Sequence, residues 1–115
     1  MTFQVIIQPA AERGIRQQVQ WIAAQSNSPA TALRWARSVR AKIDTLKTSP
    51  LRCPVDPDAD AYGEDVRVLL HGKRNKKFRI YFVIRGEAVH IVAVRHAAQR
   101  GLAEDLEDDN PESYP

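Results

Sequence analysis

The sequence predicts a small α+β domain: an N-terminal strand, an antiparallel helix hairpin, then a three-stranded antiparallel meander forming one sheet with the first strand, and a short C-terminal helix or tail. Three observations carry that prediction. Apolar residues recur at steps of three and four between residues 11 and 46, they alternate at period two between residues 66 and 93, and a proline-rich stretch separates the two regimes. At 115 residues the chain has the size of one domain. Residues 1–102 are expected to form it, with residues 103–115 as an acidic, flexible tail.

The first strand is read at residues 3–8, β-branched and aromatic, ending at Pro9. Pro9 suits the first turn of a helix, where a missing N–H costs nothing. Ile15, Val19 and Ile22 then mark one helical face, with Ala11 and Trp21 beside it, up to about residue 25. In the string Ser26-Asn27-Ser28-Pro29, Ser28 is placed as an N-cap and Pro29 as the first residue of a second helix. Ala32, Trp35, Val39, Ile43 and Leu46 continue that helix towards Pro50, and a tryptophan stripe at this spacing reads as core. From Pro50 to Gly63 three prolines imply an irregular loop. The strands are read from Val66, Val68 and Leu70, from Phe78, Ile80, Phe82 and Ile84, and from Val89, Ile91 and Ala93. Gly86 fits the first central position of a two-residue type II′ turn between the last two.

The composition, 43% apolar and 27% charged, is that of an ordinary globular protein. No apolar run could span a bilayer, and Met1 to Ile7 lacks the pattern of a secretory signal, so a cytoplasmic protein with no membrane partner is expected. Cys53 is the single cysteine, which excludes an internal disulfide and a multi-cysteine zinc site; no metal or cofactor is expected. The charge is segregated. All 17 Lys and Arg precede Gly101 and six of the 14 acids follow it, so residues 1–100 carry +9 and the remainder −6. A basic body attracts a polyanion or an acidic protein, and its acidic tail could fold over that surface or serve solubility.

Several segments are similar to the RelE/ParE toxins of type II toxin-antitoxin systems, also called plasmid stabilisation proteins. They are Pro9-Ala10-Ala11-Glu12, Pro29-Ala30-Thr31-Ala32, Leu46 to Pro50, Val66-Arg67-Val68-Leu69, Phe78-Arg79-Ile80-Tyr81-Phe82 and the closing Val89 to His96. Together they span about residues 3 to 98. The resemblance implies a growth-inhibiting toxin neutralised by a cognate antitoxin protein, meeting operator DNA only through the antitoxin complex. Family members either cut mRNA on the ribosome or poison DNA gyrase without a catalytic site of their own.

RNA cleavage through the 2′-hydroxyl needs a base, cations for the phosphate and an acid for the leaving oxygen. Alternation puts Arg67 and His71 on one face with Arg79, Tyr81, Arg85 and His90. By the resemblance, Arg79 stands where the nuclease branch keeps its phosphate-binding arginine, and Arg67 where it tends to carry lysine. Leu69 takes the place of a second functional lysine. Ala97, Ala98 and Gln99 stand where proton-transferring side chains are kept, with His96 one or two positions early. If the chain is a nuclease, Arg67, Arg79 and His96 are its candidates; the departures favour the ParE-like branch, in which binding is the activity. Candidate target-binding or nucleic-acid-binding residues are then Arg67, Lys73, Arg74, Lys76, Lys77, Arg79 and Arg95, because clustered cations gain from counterion release. A charged turn that protects a sheet edge has the same composition as residues 73–77. Three functions follow for test: a gyrase or replication inhibitor that is no enzyme, a ribosome-dependent mRNA endoribonuclease, and a relative that binds antitoxin or nucleic acid without toxicity.

Overall fold

The computed structural model describes residues 2–72 and 77–96, the side chains of residues 60 and 61 excepted. Strand β1 (Gln4–Ile7) leads into helices α1 (Pro9–Ser26) and α2 (Pro29–Asp44). Strands β2 (Arg67–His71), β3 (Phe78–Arg85) and β4 (Ala88–His96) follow. The four strands form one mixed sheet in the order β1-β4-β3-β2, with β1 parallel to β4 and the other pairs antiparallel. The architecture is therefore the α+β arrangement expected.

Local chemistry explains the boundaries. Pro9 occupies the first helical position after an extended Gln8, where a ring that fixes φ and lacks an N–H fits. Asn27 closes α1 in the left-handed conformation at φ 52° and donates its N–H to the Ala23 carbonyl. One residue on, the Ser28 hydroxyl accepts the Thr31 N–H at 3.2 Å and starts α2. The apolar repeat runs on to Leu46, but the α-helix ends at Asp44 and tightens into a 3-10 turn at Thr45–Lys47 that keeps Leu46 fully buried. At the β3–β4 turn Gly86 has φ 59°, Glu87 keeps an ordinary negative φ, and Arg85 pairs with Ala88. This is the two-residue type II′ geometry that the glycine permits. Between α2 and β2 the loop is built of two further 3-10 segments, Pro50–Arg52 and Pro57–Tyr62.

The main core lies between the helices and the sheet, where Ile15, Val39, Ile43 and Leu46 meet Leu69, Ile80, Phe82, Val89, Ile91 and Val94. A second cluster lies on the far face of the sheet, where Ala59 and Tyr62 of the loop cover Val66, Tyr81, Val83, Val92 and Ala93.

Two expectations about faces are corrected. Alternation makes Val66, Val68 and Leu70 the core face of β2. In the structure Arg67 opposes Phe82, Leu69 opposes Ile80 and His71 opposes Phe78, so Arg67, Leu69 and His71 lie on the helix side. Val68 and Leu70 oppose Tyr81 and Arg79 on the far side. The segment is apolar at both parities, and a one-residue change of phase flips every side chain, so only pairing could decide it. On β4, Tyr81 pairs with Ala93 but Phe82 with Ile91, which leaves Val92 as the extra residue of a β-bulge. Alternation groups Ala93 with Val89 and Ile91; the bulge sends Ala93 to the far cluster and brings Val94 under the helices instead.

Helix α1 approaches β4 closely at Gly14, where an added Cβ would lie 3.3 Å from the Val94 carbonyl oxygen. A backbone oxygen in a paired strand yields little. Replacing Gly14 with Ala is therefore expected to lose about 1 kcal/mol net, the helix-propensity gain of about 1 kcal/mol being outweighed by the 1–3 kcal/mol typical of overpacking. Urea unfolding of the variant measures it.

Candidate functional site

Strands β3 and β4 bring Arg79 and Arg95 directly opposite one another, both half-buried. The Arg79 guanidinium lies over the ring of buried Tyr81, 5.8 Å from its centroid. Two arginines paired across neighbouring strands on one face suit a planar acidic group or a phosphate, which a guanidinium can bind through paired N–H groups. Lys77, exposed, stands just ahead of β3; Lys73, Arg74 and Lys76 lie outside the described residues, as do Ala97 and Ala98.

The other nuclease candidates are elsewhere. Arg67 projects to the helix side and donates through Nη1 to the Cys53 carbonyl at 2.7 Å and the Leu51 carbonyl at 3.4 Å. It fastens the proline-rich loop to β2. His96 opposes Phe78 on the helix side and meets that ring edge-on, with centroids 5.0 Å apart. So Arg67, Arg79 and His96 do not converge, and the face that alternation gives to Arg67, His71 and Arg79 together is not formed. Leu69 is buried in the main core. Arg85 does share the far face with Arg79, but its guanidinium makes a two-bond pair with Glu64 at 2.6 and 3.1 Å. That hydrogen bonding holds the Glu64 carboxyl below the usual carboxylate range.

Far from being a cation beside Arg79, His71 lies on the helix side of the sheet, where its surroundings favour the uncharged form. The Ser38 hydroxyl donates to the Trp35 carbonyl at 2.8 Å, which leaves its oxygen to accept from His71 Nε2 at 3.0 Å. Burial first, and the Lys42 charge second, lower the His71 pKa from the ordinary histidine value. With the folded value depressed, the unfolded chain binds the proton more readily. The contribution of His71 to stability is then full above the ordinary histidine pKa and declines as the pH falls below it. Unfolding free energies measured across that window are expected to slope with pH, and His71→Gln to flatten the slope.

On the helix side, where α1, α2 and the sheet end meet, Trp21, Ile22, Trp35, Phe78 and His96 line a cleft of about 480 Å³. Trp35 packs on Phe78 with ring centroids 4.8 Å apart, whereas Trp21 is 37% exposed at the rim. The tryptophan stripe therefore builds a cleft wall as well as core. Helical spacing made it legible only as core, since Trp21 is a neighbour of Ile22 and sits at the stripe's border. Among the described residues no three His, Cys, Asp or Glu are placed to hold a metal ion, and no helix is long and apolar enough to cross a membrane.

Residues 5–101 match the family described as the ParE toxin of type II toxin-antitoxin system, parDE. The chain belongs to this family. Among solved structures, it is similar to a chain of a chromosomal ParDE TA system from P. aeruginosa, at 13% identity and a TM-score of 0.64. The match covers 81% of this chain and 94% of that one. At that identity the likeness concerns the fold, and it is the strand, helix-hairpin and meander order of this ParE-family domain that is shared. No curated protein matches the chain. Membership in a toxin-antitoxin family implies a cognate antitoxin as partner of this ParE-family protein.

Proposed function

We propose that this ParE-family toxin arrests growth by binding DNA gyrase or another component of replication, without cutting RNA, and that Arg79 and Arg95 with the basic residues 73–77 form its target-binding surface. The reading is carried by one observation: Arg67, Arg79 and His96, the residues that could serve a nuclease, divide between opposite faces of the sheet. A phosphodiester cannot be met by groups with a β-sheet between them, and acid-base catalysis requires hydrogen-bond reach of the reacting atoms. Arginines paired across two strands, one of them over an aromatic ring, suit binding, where each charge-assisted contact contributes about 1.5–3 kcal/mol. The antitoxin is the neutralising partner, and the protein works in the cytoplasm, where its target lies.

Expression without the antitoxin is expected to stop growth, raise the DNA-damage response and leave translated mRNA intact. Arg79→Ala is expected to weaken toxicity by at least about tenfold in inducer requirement, the loss of one charge-assisted contact, with unfolding unchanged within about 1 kcal/mol. Message cut within codons during arrest would replace binding with ribosome-dependent cleavage. Harmless expression of the folded chain would replace it with an antitoxin- or nucleic-acid-binding relative.

A further inference from the structure

The cleft between the helices and the sheet end has apolar walls, Arg34 and Lys77 close by, and an opening next to the last described residue. Its walls are Trp21, Ile22, Trp35, Phe78 and His96. Arg34 stands at the rim, its Nη2 donating to Thr31, another lining residue, at 3.2 Å, and exposed Lys77 adjoins Phe78. Residues 9–52 carry eight Lys and Arg against Glu12 and Asp44 alone. A fitting occupant is a segment with a few apolar side chains framed by carboxylates.

Such a segment exists in this chain. Leu102 and Leu106 stand four residues apart, the spacing that puts side chains on one helical side, with Glu104, Asp105, Glu107, Asp108 and Asp109 between and after them. Residues 97–115 lie outside the described residues. The described chain ends at His96, on the cleft wall itself. The six residues from His96 to Leu102 reach up to about 20 Å extended, so the cleft lies within range. Trp35 Nε1 is buried and has no hydrogen-bond partner among the described residues. A buried donor in that condition is completed by a water or by an acceptor outside them.

We infer that residues 102–109 of the chain itself dock in this cleft, with Leu102 and Leu106 between Trp21 and Phe78 and the acids towards the basic rim. The tail is then an intramolecular acidic strap, whose release opens an apolar cleft to other acidic, amphipathic segments. This does not depend on the cellular target.

The 115-residue chain carries two tryptophans, both on this cleft, so their fluorescence reports its cover. The unaltered chain is expected to show tryptophans shielded from acrylamide and no binding of a synthetic peptide of residues 101–112. In the 115-residue Leu102→Asp/Leu106→Asp variant, acrylamide quenching should rise roughly two-fold as apolar cover is lost to water, and the peptide should bind in trans and reverse the rise. Circular dichroism checks that the double variant stays folded; if it does not, the peptide is tested on the unaltered chain alone, where exclusion supports the strap and binding overturns it. Equal quenching in the two folded chains would overturn the inference. So would concentration-dependent shielding with a doubled sedimentation mass, which assigns the cleft to a second copy.

Discussion

Phe82→Ala is expected to lower the unfolding free energy by about 3–5 kcal/mol, the cost of deleting a fully buried aromatic ring. Phe82 has no exposed surface and lies in the third strand of the sheet, hydrogen-bonded to neighbours on both sides. It opposes Arg67 on β2 and Ile91 on β4, next to the bulge at Val92. The ring sits where the sheet changes phase, and the void it leaves cannot be closed by one flexible neighbour. For a domain whose total stability is typically about 5–15 kcal/mol, this loss is a large share of the whole. A urea midpoint shift with an unchanged slope reports the loss, and a shift below about 1 kcal/mol would show that the core does not close around this residue. Because Arg79 and Arg95 are held by the same two strands, toxicity should disappear with stability and return in a stabilised background.

Arg67→Ala is expected to cost about 1.5–3 kcal/mol, since a charged hydrogen bond is lost and the Cys53 carbonyl behind it is left without its donor. The loop from Pro50 to Val55 should loosen first, because Arg67 holds its Leu51 and Cys53 carbonyls while the Val68 N–H holds Pro54 at 3.0 Å. Buried Cys53, whose thiol pKa is raised by burial ahead of the opposing charges of Arg52, Arg67 and Lys42, then becomes the reporter. Its labelling by a thiol reagent should accelerate in the variant. Arg67→Lys should recover only part of the stability, as a single ammonium lacks the planar fork. The contrast with Arg79→Ala is the informative one. Loss of function should track loss of stability at position 67 and be independent of it at position 79. A stable Arg67→Ala protein without toxicity would move Arg67 from the loop fastening to the target surface.

The same contrast separates what near neighbours in the chain encode from what they do not. Local signals fixed the elements: Pro9 and Ser28 set helix starts, Asn27 ended a helix, Gly86 made the hairpin, and the change from helical to alternating spacing marked the passage from helices to sheet. The pairing of charges with their surroundings was not legible. Glu12 and Arg40 are 28 residues apart, yet they join α1 to α2 through two hydrogen bonds at 2.7 and 3.2 Å. Gln8 reaches His90 across 82 residues at 2.8 Å and so ties the start of α1 to β4. No local pattern encodes such partners.

The sequence by itself determined the α+β order, the ParE-family likeness and the segregation of basic body from acidic tail, since these follow from residue type and spacing along the chain. Only the tertiary structure decided which cations share a surface. Val66-Arg67-Val68-Leu69-Leu70 offers apolar side chains to either face, and the phase of β2 is set by its hydrogen-bonded register with β3. The bulge at Val92 then resets the phase of β4, which puts Arg95 opposite Arg79 and turns His96 towards the helices. Register is a property of two strands at once, and with it went the separation of Arg67 and His96 from Arg79 on which the functional reading rests.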